Sequence, residues 1–281
     1  MKRILVCTDG SSYSLESCRC ACWLASQNKL SIDVLYVTDA RQFEVATVVD
    51  LSGSLGVQPY EGMLAQLHAV ERKKSEFVWE QARQIFEKAG LVECVRYHHE
   101  TGMLVDRISD YDFQTDLILL GKRGEHANFA VQHLGSVLER TLRATKTPCL
   151  ITNQKFKTLR RIALAYDGGE STCKALKFIA ENMPFKALEI HIVAVAESAY
   201  ESNATANLAE AQELLKELGI KPICQMLSGE VGFAISNYVE DADIDLLVVG
   251  AYGHSRIRDF LIGSTTTELL RACNVPFLCF R

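Results

Sequence analysis

The 281-residue chain has no apolar run near the roughly 20 residues that a membrane-spanning helix requires. Met1-Lys2-Arg3 leads straight into Ile4-Leu5-Val6, without the hydrophobic leader or small-residue cleavage site of a secretory signal. Ten cysteines occur, yet none forms a C-x-x-C pair, which removes the common zinc spacing and the thioredoxin-like redox motif. Cys18, Cys20 and Cys22 fall in one helical stretch, where 18 and 22 share a face and 20 does not. They are expected as small buried hydrophobes, not as a metal centre. A basic excess is also lacking. The formal net charge is -5 and the pI about 5.8, against the phosphate-neutralising surface that a nucleic-acid binder needs. Arg72-Lys73-Lys74 is a short basic cluster in a helical pattern and reads as a solvated face. These absences predict a cytoplasmic protein with reduced thiols and neither a membrane nor nucleic acid as partner.

What is present is an ordinary globular composition, 48% hydrophobic and 23% charged, sufficient for one or two cores. The sequence repeats itself. Ile4-Leu5-Val6-Cys7-Thr8-Asp9-Gly10 returns as Ile162-Ala163-Leu164-Ala165-Tyr166-Asp167-Gly168. Asp116-Leu117-Ile118-Leu119-Leu120-Gly121 with Gly124 returns as Asp245-Leu246-Leu247-Val248-Val249-Gly250 with Gly253. Leu142-Arg143-Ala144 and Pro148 return as Leu270-Arg271-Ala272 and Pro276. Three landmarks in the same order make two copies of one unit. The expected domains are 1–153 and 159–281, joined by the polar, basic stretch Asn153–Thr158. From Asp9 to Gly121 is 112 residues and from Asp167 to Gly250 is 83, so the first copy carries 29 more. Most of these belong between about residues 40 and 75, in a segment with Gly53, Gly56 and Pro59 and a longer second helix.

Within each copy, short β-branched runs alternate with amphipathic stretches. In the first copy strands are expected near 2–8, 31–38, 92–98, 116–121 and 148–152. Helices are expected at Ser11–Gln27, Gly62–Ala89, Met103–Tyr111 and Gly135–Ala144. Leu67, Val78, Ala82, Ile85 and Ala89 form the inward stripe of the second. The matching helix of the second copy should end on Leu218-Gly219. This alternation gives an α/β fold, two tandem open parallel-sheet α/β sandwiches of Rossmann-like type with five strands each.

In such sheets ligands bind at the carboxyl ends of the strands. After the fourth strand of copy two comes Gly250-x-x-Gly253, nine residues, then Gly263-Ser264-Thr265 opening a helix. Glycines admit a ligand close to backbone amides, a helix N-terminus favours phosphate, and two hydroxyls add donors. Neither the P-loop pattern nor G-x-G-x-x-G occurs, so two common phosphate motifs are excluded.

On these residues the sequence resembles the universal stress protein family in its tandem two-domain form: Asp after the first strand, G-x2-G-x9-G-[ST] after the fourth, and a last strand after Pro. The resemblance implies binding of ATP or a related adenine nucleotide, with Mg as an optional companion, and a regulatory role in stress response with at most slow hydrolysis. It implies that Asp167 lies near the adenosine end, that Val195 meets adenine through its backbone, and that Gly250, Gly253, Gly263, Ser264 and Thr265 hold phosphates. It also implies pairing through the last strands, Phe277–Phe280 with Cys149–Thr152, between the two copies, and a homodimer as one assembly.

The first copy keeps Asp9 and Val37, but ten residues, not nine, separate Gly124 from Gly135-Ser136. The extra residue is either absorbed as a bulge or moves Gly135 out of register. Lys122, Arg123 and His126 either compensate at Gly121-x-x-Gly124 or face solvent. His254, Arg256 and Arg258 are either γ-phosphate contacts or the charge of a surface loop. His98 and His99, adjacent on a strand, point to opposite faces and cannot share a metal. No catalytic residue and no metal ligand is assigned. Two other functions stay open: an ATP-hydrolysing or nucleotidyl-transfer enzyme on the same fold, and a dimerisation scaffold with degenerate sites.

Overall fold

The computed structural model describes residues 1–26, 28–41, 61–124, 136–196, 201–250 and 264–281. The first half runs β1 (Arg3–Cys7), α1 (Ser12–Ser26), β2 (Ser31–Asp39), α2 (Glu61–Lys88), β3 (Val95–Gly102), α3 (Leu104–Tyr111), β4 (Leu117–Gly121), α4 (Ser136–Ala144) and β5 (Cys149–Thr152). The second repeats it as β6 (Arg161–Ala165), α5 (Glu170–Glu181), β7 (Glu189–Ala196), α6 (Glu201–Glu217), β8 (Ile223–Ser228), α7 (Val231–Asp241), β9 (Leu246–Gly250), α8 (Ser264–Ala272) and β10 (Phe277–Phe280). α2 has 28 residues against 17 for α6, so part of the added length of the first half is helix. Gly53, Gly56 and Pro59 lie outside the described residues.

All strands join one 10-stranded sheet in the order β3-β2-β1-β4-β5-β10-β9-β6-β7-β8. Each half is the parallel five-strand unit expected, and the halves meet where β5 and β10 pair antiparallel. Ile118 and Lys122 donate their N–H groups to the C=O of Pro148 and Thr152, and Leu247 donates to Pro276. Even-numbered residues of β5 and β10 therefore face their own sheet, and odd-numbered ones face across the seam. Cys149 and Cys279 are a hydrogen-bonded pair; Leu150 and Leu278 are the closer, non-hydrogen-bonded pair. Leu150 and Leu278 are also each other's counterparts in the repeat, so the pseudo-two-fold passes between them. The strand ends of the two halves consequently point to opposite edges of the sheet.

The core is divided by the sheet, not by the repeat. One layer gathers Ile4, Val6, Leu24, Phe86, Leu150, Leu164, Phe185, Val248 and Leu278 under α1, α2, α5 and α6. The other gathers Leu5, Ile118, Ile151, Leu247, Leu270 and Phe277 under α3, α4, α7 and α8. Each layer runs through both halves.

Two local expectations change. The strand read as 92–98 starts at Val95, because Val92–Cys94 forms a 3-10 turn, and it runs on to Gly102. β3 is an edge strand with a half-exposed burial pattern, which weakens its apolar signature. The buried stripe of α2 is Ser75, Val78, Ala82 and Phe86; Leu67 and Ile85 are half-buried and Ala89, beyond the helix, is exposed. The cysteines of α1 pack as expected, Cys18 and Cys20 fully buried and Cys22 half-buried. α6 closes as expected on Gly219, where Ile220 donates its N–H to the Leu215 C=O at 2.9 Å.

Candidate functional site

The strand order reverses at β1/β4 and at β6/β9, so the connections leaving these strands diverge and open a crevice at their carboxyl ends. In the second half the chain leaves β6 through Tyr166, whose N–H bonds to the Val193 C=O at 2.8 Å. It turns at Asp167-Gly168, where Gly168 has φ +75°, a conformation that a side chain resists. Asp167 Oδ1 accepts from the Gly169 N–H at 2.8 Å and the Thr172 hydroxyl at 2.7 Å. That fixes the carboxylate over the first turn of α5 while Asp167 stays exposed to solvent. Gly250 ends β9, and a Cβ there would stand 3.1 Å from both Ser171 Cβ and Thr172 Cγ2. Its lack of a side chain is what lets α5 close on the strand end. Thr266 donates its hydroxyl to the Gly250 C=O at 3.2 Å, tying the start of α8 to the same point. Asp167, Gly250 and the half-buried Thr265 thus belong to one strand-end locus.

The first half mirrors this. Thr8 donates its N–H to the Leu35 C=O at 2.9 Å, and the turn follows at Asp9-Gly10, with Gly10 at φ +79°. Asp9 Oδ1 accepts from the Ser11 N–H at 3.0 Å, and the Asp9 N–H donates to Ser14 Oγ at 3.2 Å. A Cβ on Gly121 would lie 2.9 Å from Tyr13 Cβ and 3.0 Å from the Arg123 C=O. One on Gly124 would lie 2.8 Å from Asp9 Oδ2. Asp9, Gly121 and Gly124 are therefore gathered at one strand end.

Val37 and Val195 stand where β2 and β7 run past β1 and β6, while still paired with β3 and β8 on the other side. Leu35 and Val193 accept the last ladder bonds from β1 and β6, and the residue two further on has the same backbone orientation. The N–H and C=O of Val37 and Val195 thus face the crevice side, while their side chains pack half-buried against the core. Gly135, Gly253 and Gly263 lie outside the described residues, as do His126, His254, Arg256 and Arg258. Ser136 and Ser264 open α4 and α8, and only their backbone is described.

Lys122 takes neither of the two roles expected of it. Its Nζ donates to the Cys273 C=O at 3.0 Å, at the end of α8 in the other half. Burial pulls its pKa below the ordinary lysine value. The side chain ties the halves together across the seam. His98 and His99 do diverge: His98 Nε2 meets Asp33 at 2.8 Å, whereas His99 Nε2 meets the Thr38 hydroxyl at 2.9 Å on the other face. Burial raises the thiol pKa of Cys18 and Cys20 well beyond the ordinary range and that of Cys22 to about 11, as expected of unreactive packing groups.

The universal stress protein family model matches residues 1–153 and again 158–281. The universal stress protein Slr1230 of Synechocystis sp. is 42% identical over 288 residues, covering 100% of each chain. The chain belongs to the universal stress protein family. A universal stress protein structure from Archaeoglobus fulgidus DSM 4304 matches with a TM-score of 0.73 at 24% identity, covering 99% of this chain and 96% of that one. A putative universal stress protein from Pseudomonas aeruginosa UCBPP-PA14 gives 0.64 at 16% identity, with 100% and 93% covered. At these identities the two structures speak for the fold.

Within this tandem universal stress protein, sequence reading missed four residues that shape the strand-end loci: Ser14, Thr172, Asn207 and Thr266. Asn207 Nδ2 donates to the Asp167 C=O at 2.7 Å. For Ser14 and Thr172 a signal existed, since both copies read Asp-Gly-x-x-x-hydroxyl. Asn207 and Thr266 reach their partners from other elements, so no local spacing marks them.

Proposed function

We propose that this universal stress protein binds an adenine nucleotide, ATP or a close relative, at the carboxyl end of β6 and β9, and at the corresponding place on β1 and β4. Its role is then regulatory, in the response to stress, with hydrolysis slow at most and Mg accompanying the nucleotide. The domains 1–153 and 159–281 each supply one site. The observation that carries the reading is the recurrence of one arrangement at both switch points. An Asp-Gly turn is held by the following hydroxyl, the helix start after it packs against a glycine at the strand end, and the neighbouring strand runs past β1 or β6 with a backbone N–H and C=O directed to that side. Such a backbone pair matches the donor and acceptor edge of adenine, and a bare strand end leaves room for the ribose and phosphates. In the second half Ser264 and Thr265 at the start of α8 add hydroxyls and helix N–H groups for phosphate, with Gly250, Gly253 and Gly263 as the loop glycines. Asp9, Val37, Gly121, Gly124, Gly135 and Ser136 are the counterparts.

Mass spectrometry of small molecules released from freshly purified protein, followed by titration calorimetry with ATP, tests this. The expected outcome is an adenine nucleotide retained or bound, and an affinity at least about tenfold weaker for Asp167→Ala, a change that removes a charge-assisted anchor of the turn. Folded protein that takes up no ATP overturns the reading.

A further inference from the structure

The two Asp-Gly turns are bracketed by different chemistry from the second helix of each half. Val78 on α2 and Asn207 on α6 each stand twelve residues before the glycine that closes the helix, Gly90 and Gly219. Each sits over the glycine of its own turn. A Cβ on Gly10 would lie 2.9 Å from Val78 Cγ2, and one on Gly168 would lie 2.8 Å from the Asn207 side-chain amide. The packing is equivalent, but only Asn207 has a proton to donate, and it gives it to the Asp167 C=O at 2.7 Å.

We infer that Asn207 is a positioning residue that pre-organises the second site, and that the Asn207/Val78 difference makes the two sites unequal. The inference deepens the nucleotide reading above and rests on it. Asp167 is held from two directions: its carboxylate by Gly169 and by Thr172 in the first turn of α5, its carbonyl by Asn207 of α6. A turn clamped at both ends loses less freedom when a ligand settles against it, so binding is tighter without a new ligand contact. Opposite Gly10, Val78 supplies contact and no bond, and the neighbouring Gln81 Oε1 is buried without a partner among the described residues. A filling order follows: the second site fills first and the first follows at higher nucleotide concentration.

The test uses the full chain in three forms, wild type, Asn207→Val and Asn207→Leu, titrated with Mg-ATP by calorimetry. Asn207→Leu keeps about the size of the side chain and removes the donor without adding charge, so a purely steric role would leave it unaffected. Both variants should weaken the tighter binding event about tenfold, the worth of one well-placed hydrogen bond, with the weaker event unchanged. Val78→Asn should strengthen the weaker event. Hydrogen exchange without nucleotide reads the turn directly: the Gly169 amide should exchange about tenfold faster in both Asn207 variants. Unchanged exchange and unchanged affinity in either Asn207 variant overturn the inference, as does equal weakening of both events. If wild type binds no ATP, the nucleotide reading falls, and the exchange measurement still decides whether Asn207 positions the turn.

Discussion

At the residue scale, equivalent glycines differ in what they tolerate. Gly121 faces atoms that cannot give way: beside Tyr13 Cβ at 2.9 Å, an added Cβ would meet the Arg123 C=O at 3.0 Å and the Ser14 N at 3.1 Å, both backbone. Gly250 would meet side-chain atoms at 3.1 Å and its nearest backbone atom, the Thr172 N, only at 3.7 Å. Gly121→Ala should therefore destabilise by about 1–3 kcal/mol, as overpacking does, and Gly250→Ala by clearly less. Urea denaturation of the two variants measures this, and equal midpoints would refute it. The glycines and aspartates were legible because each follows a short apolar strand run and recurs at the same place in both copies. Asn207 was not legible. Its bond to Asp167 spans 40 residues and exists only once α6 has packed on the sheet. For the same reason Phe86 escaped the inward stripe of α2: periodicity gives the face of a helix, while contact with the sheet decides which residues at its edge are covered.

At the element scale, Asp112 holds the turn that feeds β5. Its carboxylate accepts from the Thr145 hydroxyl at 2.5 Å and from the N–H groups of Lys146 at 3.3 Å and Thr147 at 3.2 Å. Burial alone would raise its pKa, but these hydrogen bonds outweigh it and hold the carboxyl below its ordinary value. A depressed carboxyl contributes stability above the ordinary carboxylate range, near pH ~4, and loses it as pH falls through the lowered value. Asp112→Asn should thus cost about 1 kcal/mol at about pH 7, and the gap to wild type should shrink toward zero under acid. Denaturant titrations at about pH 7 and at steps downward from the ordinary carboxylate range until the gap stops changing check it. A gap that persists in acid would show that charge is not the cause. Asp116 and Asp245 belong to the same scale. Both were visible as repeat landmarks, and both accept the N–H groups that open a neighbouring strand, Lys2 and Arg3 in one half, Arg160 and Arg161 in the other. The repeat exposed their equivalence, whereas only the parallel register of β1 with β4 and β6 with β9 gives the reason for it.

At the scale of the whole molecule, the two halves are joined by a sheet seam and by cations reaching across it. Lys122 caps the carbonyl end of α8 through Cys273, and Arg281 donates to the Arg143 C=O in the last turn of α4, each suiting the negative end of a helix dipole. The main bond between the halves, however, is the shared core. Leu150 and Leu278 are both fully buried, lie directly opposite as the close pair of the antiparallel seam, and belong to the layer that runs through both halves. If that layer is one core, the halves unfold as one unit, and removing either leucine opens a cavity that the other also lines. Leu150→Ala and Leu278→Ala should each cost about 2–5 kcal/mol, and the double variant should cost less than the two together by about 0.5 kcal/mol or more. Each single variant should also keep one cooperative transition, seen alike by fluorescence and circular dichroism, because neither half retains a closed core without the other. Additive costs, or two separated transitions in wild type, would mean that the halves stand alone and that the seam merely joins them.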